Sequence, residues 1–199
     1  HLQVQQQLGE GASGVIQQAL WQRQENQSTP VAIKLYKGSI TSDGSPLNEM
    51  SACIAAGAHP QLIEVQGQIA EHPQAQVGLV MQLIAPSFSN LAGPPSLDSC
   101  TRDIYASGTR FSLDVALRLA CGIASVAEHL HAGGICHGDL YGHNILWDED
   151  GDCLLGDFGA ASFYPTANTA QAQALERVEV RAFGILLGEL LTRCDPAPA

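Results

Sequence analysis

Residues 137–144 of this 199-residue chain read His-Gly-Asp-Leu-Tyr-Gly-His-Asn, and residues 157–159 read Asp-Phe-Gly. Asp139 and Asn144 stand five positions apart, directly after a short apolar strand candidate. An aspartate there can orient or deprotonate an attacking hydroxyl, and the asparagine can offer its amide oxygen to a magnesium ion. Asp157 adds a carboxylate, the hard oxygen ligand that Mg²⁺ prefers. The two motifs together predict a site that handles phosphate with the help of magnesium.

The N-terminal region carries a glycine-rich segment, Gly9-x-Gly11-x-x-Gly14-x-Ile16. Glycines let backbone amides approach phosphate oxygens closely, where a Cβ would intrude. On its own, this pattern is equally typical of a plain glycine hairpin turn. A dinucleotide-binding loop requires a helix directly after the glycines. Residues 15–20 continue as a strand instead, which disfavours a hydride-transfer enzyme.

A lysine on a predicted strand and a glutamate on a predicted helix follow the glycines. Val31-Ala32-Ile33-Lys34 is a β-rich run, and Glu49 lies 15 residues after Lys34 in a predicted helix. Alone, Lys34 could be an exposed edge-strand residue and Glu49 a solvated helix carboxylate. A lysine that stays charged and points at phosphates needs a carboxylate partner. Glu49 can supply it, and the scarcity of lysine, with only Lys34 and Lys37 in the chain, favours this interpretation.

Composition argues against several other functions. A net charge of −11 disfavours nucleic acid and anionic membranes as partners. No apolar run approaches the ~18–20 residues of a membrane span, and the N-terminus lacks a secretory signal. The cysteines show no metal-ligand spacing and fit reduced thiols in a cytoplasmic protein; they stand at positions 53, 100, 121, 136, 153 and 194. Because no initiator Met is present, we expect a further N-terminal domain in the full-length protein.

The hydrophobic pattern predicts an α+β fold. Strands are expected within residues 4–20, 31–36, 62–70 and 76–84, with one helix over 47–58. Residues 85–111 are rich in Pro, Gly and Ser, which indicates a boundary. Ser112 is a predicted cap for a helix to residue 131, and a last helix covers about 171–192. The apolar stripe predicted for the first of these two helices consists of Leu113, Ala116, Leu117, Ala120, Ile123, Ala124, Ala127 and Leu130.

Taken in order, these motifs resemble the protein kinase superfamily over nearly the whole chain. A late helix reading Arg-Ala-Phe-Gly-Ile-Leu-Leu at 181–187 completes the set. The resemblance is to a small, C-terminally reduced domain of the bacterial or atypical type. It implies a bilobal kinase fold, with an antiparallel sheet and one helix in an N-lobe over 1–84. Residues 85–111 would form the hinge and inter-lobe linker, and 112–199 a reduced, mainly helical C-lobe.

The resemblance also implies ATP and Mg²⁺ as cofactors. Lys34 and Glu49 would form an ion pair, Asp139 would be the catalytic base, and Asn144 and Asp157 would hold Mg²⁺. Met81 falls at the gatekeeper position before the hinge. The residues expected to contact the nucleotide are Gly9, Gly11, Gly14, Ile16, Ala32, Lys34, Gln82, Ile84 and Leu146.

Four positions depart from the family pattern. Gly138 replaces the arginine that normally binds a phosphorylated activation loop, and Tyr141 stands where serine/threonine kinases keep a lysine. His143 is the one nearby side chain that could take over that charge, and only when protonated. Glu179 occupies the usual aspartate position of the late helix.

Three functions therefore stay open. The first is transfer of the ATP γ-phosphate to a protein hydroxyl, of serine or threonine rather than tyrosine. The second is a pseudokinase that binds nucleotide or acts as a scaffold with little catalysis. The third is a small-molecule kinase, because catalytic loops of aminoglycoside and choline kinases also read His-Gly-Asp-Leu…Asn. The glycine loop, Val-Ala-Ile-Lys, Asp-Phe-Gly and the late helix look like those of protein kinases and favour the first function, although fold analogy alone does not establish a substrate.

Overall fold

The computed structural model describes residues 1–11, 13–24, 27–38, 44–98, 103–167 and 169–195. The N-terminal part is a five-stranded antiparallel sheet with one helix beside it, in the strand order β1-β2-β3-β5-β4. Its elements are β1 (Leu2–Glu10), β2 (Gly14–Gln24), β3 (Gln27–Tyr36), α1 (Pro46–Ala56), β4 (Val65–Ile69) and β5 (Gly78–Gln82).

The remainder is built on two long helices with short strand pairs between them. Strands β6, β8 and β9 form one small sheet and β7 pairs with β10. The elements are β6 (Ser89–Asn90), α2 (Leu113–Ala132), β7 (Ile135–Cys136), a 3₁₀ turn (Gly142–Asn144), β8 (Ile145–Trp147), β9 (Cys153–Leu155), β10 (Ser162–Phe163) and α3 (Thr169–Leu191). This arrangement confirms the predicted α+β class.

Strand β4 is shorter than the pattern over 62–70 predicts. Leu62 is buried and forms a bridge with Leu155 of β9, and the Leu155 N–H donates to the carbonyl of Gln61 at 2.7 Å. These residues therefore connect the N-terminal sheet to the β8–β9 hairpin. Strand β5 likewise ends at Gln82, two residues before the predicted limit.

Helix α2 begins as predicted, because the Ser112 hydroxyl accepts a hydrogen bond from the Val115 N–H at 3.2 Å. Half of the predicted stripe is confirmed, because Ala116, Ala120, Ile123 and Leu130 are buried. Leu113 and Leu117 are instead 55% and 46% exposed, and Leu119 and Val126, which the stripe did not include, are buried. The buried residues of α2 are Ala116, Leu119, Ala120, Ile123, Val126 and Leu130.

One large hydrophobic core joins the two parts of the chain. It includes Ala52 and Ala56 of α1, Ile123 of α2, Leu186 of α3 and Phe158 of the Asp-Phe-Gly motif. The motif is therefore anchored to both parts by burial of its aromatic residue. The cysteines of the described residues are free thiols, and Cys100 lies outside those residues. Within the same ranges, no helix has the length and apolar character needed to cross a membrane.

Candidate active site

Lys34 and Glu49 form an ion pair between β3 and α1. The pair is largely buried, since the side chains of Lys34 and Glu49 are 12% and 2% exposed. The Lys34 ammonium also lies 5.3 Å from the centre of the Tyr36 ring. The sheet register and the packing of α1 thus hold the lysine's charge in a fixed place.

A cavity of about 140 Å³ begins at this ion pair. Lys34, Glu49 and Asp157 supply its polar groups, and Ile16 and Met81 are among its apolar lining residues. The cavity is smaller than the ~300–1,000 Å³ of a typical whole-ligand pocket, so it can account for only part of a nucleotide site. The structure nevertheless brings together five residues that lie far apart along the chain.

The other residues predicted to contact adenine are not among those that line this cavity. Ala32 stands opposite Met81 in the β3–β5 register, and Leu146 lies in β8. The Gln82 N–H donates to the carbonyl of Glu64 at 2.9 Å. That amide is therefore engaged within the protein.

The three glycines of the N-terminal loop differ in what the fold requires of them. The Gly11 N–H donates to the carbonyl of Gly14 at 2.9 Å, which closes the β1–β2 turn. Among the described residues, a Cβ added at Gly9 or Gly11 would meet no atom within 4 Å, whereas one at Gly14 would lie 2.6 Å from the carbonyl oxygen of Leu35. Packing of β2 on β3 thus explains Gly14. Gly9 and Gly11 face open space, which suits close approach of a ligand.

Asp139 is held by the side chain of Asn144. The Asn144 amide Nδ2 donates to Asp139 Oδ2 at 2.8 Å and to the Asp139 carbonyl at 2.9 Å. Burial alone would raise the pKa of the Asp139 carboxyl, but the nearby His143 ring and the hydrogen bond from Asn144 outweigh it and lower that pKa. Asp139 is therefore a carboxylate at neutral pH, ready to accept a hydrogen bond from an attacking hydroxyl.

Asp157 and Asn144 meet at the open end of the β8–β9 hairpin. The Gly156 N–H donates to the Asn144 carbonyl at 3.0 Å, and Asp157 has a left-handed backbone with φ +53°. Non-glycine residues in this conformation cluster at functional sites. Because the Asn144 Nδ2 is engaged by Asp139, its Oδ1 is the atom available to a cation. One carboxylate and one amide oxygen fit Mg²⁺, which takes its other ligands from phosphates and water.

His137 connects the two motifs. Its ring lies 5.1 Å from the Phe158 ring, its Nε2 is 2.9 Å from the Gly156 carbonyl, and its Nδ1 accepts from the Asp139 N–H at 3.3 Å. A single buried imidazole thus fixes the backbone before Asp139 relative to the backbone before Asp157. His137 therefore links the loop that carries Asp139 to the Asp-Phe-Gly motif.

Residues 137–144 correspond to the catalytic loop of the kinase pattern, and we refer to them as the catalytic loop. Two acidic residues that contact this loop lie far from it in sequence. Glu179 of α3 accepts from the Gly138 N–H at 2.8 Å and lies 2.6 Å from His131 Nε2. Asp103 accepts from the Gly142 N–H at 2.8 Å and contacts His143 Nδ1 at 2.8 Å. Glu179 was recognisable from its place in the late helix. Nothing in the sequence around Asp103 indicates its role, because the Pro-, Gly- and Ser-rich segment has no periodic pattern.

The imidazole of His143 stands between two carboxylates. Nδ1 faces Asp103, and Nε2 lies 3.6 Å from Asp139 Oδ2. The hydrogen bond with Asp103 and the nearby Asp139 carboxylate raise the pKa of His143 to about 9, against the opposing effect of burial. At neutral pH the ring is therefore a cation beside Asp139, in the region where the sequence has no lysine.

Gly138 occupies a position that is closed to any side chain. It has φ +80°, and an added Cβ would lie 2.4 Å from the carbonyl oxygen of Ala160. The arginine found here in the kinase pattern could not be accommodated without moving the backbone. The glycine that replaces the arginine at position 138 is therefore required by the path of the loop.

Comparison with known families decides the classification. A family model described as "Protein tyrosine and serine/threonine kinase" matches residues 2–181. The chain belongs to this protein kinase family. The match covers the glycine loop, the Lys34–Glu49 pair, the catalytic loop and the Asp-Phe-Gly motif, which confirms the resemblance predicted from the sequence.

Individual kinases of both specificity classes are similar to this one. A Dictyostelium discoideum protein named "Probable serine/threonine-protein kinase" is 24% identical over 96% of this chain and 21% of its own length. A tyrosine-protein kinase of Spongilla lacustris is 28% identical over 93% of this chain and 51% of its own. The mouse tyrosine-protein kinase Srms is 28% identical over 93% and 38%, respectively. The chain thus spans at most about half the length of these relatives.

Proposed function

We propose that this kinase domain transfers the γ-phosphate of ATP to a protein hydroxyl in a magnesium-dependent reaction. The observation that carries the proposal is the carboxylate of Asp139, fixed by Asn144 beside the loop that bears Asp157. The buried Lys34–Glu49 ion pair supplies a positioned cation at the same cleft. Each group has the chemistry that phosphoryl transfer demands of a protein, namely positioning and charge stabilisation.

Within this proposal the side chains divide the work. Lys34 contacts the α- and β-phosphates while Glu49 keeps its ammonium directed into the cleft. Asn144 and Asp157 hold the magnesium ion, which when bound neutralises charge on the phosphates. Asp139 accepts a hydrogen bond from the acceptor hydroxyl and orients its oxygen toward the γ-phosphate. Gly9 and Gly11 let the N-terminal loop approach the phosphates.

The acceptor hydroxyl is proposed to belong to serine or threonine. The rings of Tyr141 and His143 lie 5.5 Å apart, and the His143 ring lies near the Asp139 carboxylate. Within the proposal, these two rings leave more room for a short aliphatic hydroxyl than for a phenol carried on a third ring. Since the similar kinases include both classes, matched peptides that differ only in Ser, Thr or Tyr at the acceptor position test this choice directly.

The proposal is tested by Asp139→Asn, with Asp150→Asn as the control. Asp139→Asn keeps the shape of the side chain but removes the carboxylate, so the single-turnover transfer rate should fall by about 10²–10⁴-fold. Affinity for a non-hydrolysable ATP analogue, measured by calorimetry with Mg²⁺, should change little. Asp150 is exposed in the β8–β9 turn, and its substitution should leave both quantities unchanged.

A pseudokinase is the second candidate, and Tyr141 favours it because the family's lysine is missing there. If the wild-type protein binds ATP but transfers phosphate to no protein, including itself, the phosphotransferase proposal is wrong and the pseudokinase takes its place. The same assay includes aminoglycosides and choline as acceptors. Transfer to these alcohols alone would identify a small-molecule kinase.

A further inference from the structure

Asp103 is a buried carboxylate directed at the catalytic loop from outside every recognised motif. Its side chain is fully buried, and it accepts hydrogen bonds from the N–H groups of Gly142 at 2.8 Å and His143 at 3.2 Å. Its Oδ1 also lies 2.8 Å from His143 Nδ1. A buried charge is costly unless its hydrogen bonds are satisfied, and here these contacts all come from the catalytic loop.

The His143 ring extends this contact to the catalytic carboxylate. Its second nitrogen, Nε2, lies 3.6 Å from Asp139 Oδ2, the same oxygen that accepts from Asn144 Nδ2 at 2.8 Å. The Asn90 amide donates to the His143 carbonyl at 2.9 Å, and the Tyr141 ring lies against the imidazole. His143 is thus held through both its backbone and its ring. Two side chains, His143 and Asn144, approach the same carboxylate oxygen of Asp139.

We propose that Asp103 is a positioning residue for phosphoryl transfer, and that it acts through the His143 imidazole to fix the orientation of the Asp139 carboxylate. This inference rests on the proposed function. A displacement of a reacting group by about 1 Å can reduce a rate by about 10²-fold. We call these contacts, from Asp103 through His143 to Asp139, the relay. Loss of the relay should slow the transfer step and leave nucleotide binding unchanged, because binding depends on other residues.

A double-mutant cycle with Asp103→Asn and His143→Gln tests the relay. Asp103→Asn keeps the size of the side chain and should lower the single-turnover rate by up to about 10²-fold, with the affinity for the ATP analogue unchanged. In the His143→Gln background, the same change should have a much smaller effect, because residues that act through one another are not additive. Asp150→Asn serves again as the exposed control.

Two kinetic results would overturn the inference. One is an equal rate loss from Asp103→Asn in both backgrounds, which would mean that Asp103 does not act through His143. The other is a parallel loss of ATP affinity and rate, which would indicate a general structural role. If Asp103→Asn does not fold, as judged by its thermal unfolding, His143→Gln alone must lower the rate without changing ATP affinity, and a normal rate would refute the relay.

A spectroscopic measurement separates failure of the relay from failure of the proposed function. In ¹⁵N-labelled wild type, the His143 Nδ1 proton should give a downfield, exchange-protected signal that moves upfield in Asp103→Asn. Asp139→Asn should shift the Nε2 signal. If these shifts occur in a protein that transfers no phosphate, the relay stands and the phosphotransferase proposal fails. If His143 gives no protected ring proton, the relay is refuted whatever the activity.

Discussion

Substitution of Gly138 by alanine should destabilise this kinase strongly, and the structure allows the size of the effect to be worked out. Gly138 has φ +80°, a conformation that costs an ordinary L-residue roughly 1–2 kcal/mol. An added Cβ would also lie 2.4 Å from the Ala160 carbonyl oxygen and 3.1 Å from its carbon. Relief of such overpacking typically costs about 1–3 kcal/mol. Together these effects should lower the free energy of unfolding by about 2–5 kcal/mol.

The control for this experiment is a glycine with the opposite expectation. Gly184 lies inside helix α3, and a Cβ there would meet no atom of the described part of the chain within 4 Å. Alanine is favoured over glycine in a helix by about 0.8–1.0 kcal/mol, so Gly184→Ala should raise the free energy of unfolding. Urea denaturation of the wild type and both variants gives the two values under one condition.

The two glycine variants must therefore shift stability in opposite directions. The free energy of unfolding of Gly138→Ala should differ from the wild-type value by more than about 0.5 kcal/mol, which is the effect of an ordinary surface substitution. A smaller difference would show that the described path of the loop next to Ala160 is wrong. An equal decrease in both variants would mean that loss of glycine, rather than this position, causes the effect. A folded Gly138→Ala protein should also transfer phosphate more slowly, because its backbone must move beside Asp139.

Two further predictions concern stability and nucleotide binding. Glu179→Gln should lower the free energy of unfolding by about 1.5–3 kcal/mol at neutral pH, whereas Glu128→Gln, on an exposed site of α2, should change it little in the same urea titration. Hydrogen bonds from His131 and Gly138 lower the Glu179 pKa from 4.5 although burial opposes them. The stabilisation by the Glu179 carboxylate is therefore complete above pH 4.5 and is lost as the pH falls through the lower pKa of the folded state. The difference in unfolding free energy between the wild type and Glu179→Gln should therefore shrink in acid. A difference that stays constant with pH would contradict the role of the Glu179 charge. Gly11→Ala should weaken binding of the ATP analogue, measured by calorimetry, without lowering the free energy of unfolding. Gly14→Ala should instead lower the free energy of unfolding by about 1–3 kcal/mol. Unchanged affinity in Gly11→Ala would show that the loop does not approach phosphate.

The sequence alone was sufficient for the fold class and for the candidate chemical groups. Residue type and spacing decide whether a side chain can act as a base, hold a cation or approach a phosphate, so Asp139, Asn144 and Asp157 are recognisable without coordinates. The pairing of Lys34 with Glu49 also follows from the sequence, since a strand and the next helix leave few other partners. Their catalytic roles stay predictions until the kinetic variants are measured.

The periodicity of α2 was a weaker guide to its buried face. Leu113 and Leu117 satisfy a helical pattern as well as Leu119 and Val126 do, and all four are apolar. The choice between the faces depends on where β9 and α3 pack against the helix. That information is not local to the helix sequence.

Only the tertiary structure reveals what holds the catalytic loop in place. Asp103 lies 40 residues before His143 in a segment without periodicity, and Glu179 lies 41 residues after Gly138. Contacts of this kind depend on the path of the whole chain, because each is formed when separate elements pack together. Gly138 is a further example. In the sequence it is only a departure from the family pattern, whereas the fold shows that the neighbouring Ala160 leaves no room for a side chain. The chemistry of each side chain thus follows from the local sequence, whereas its orientation depends on residues that are distant in the sequence.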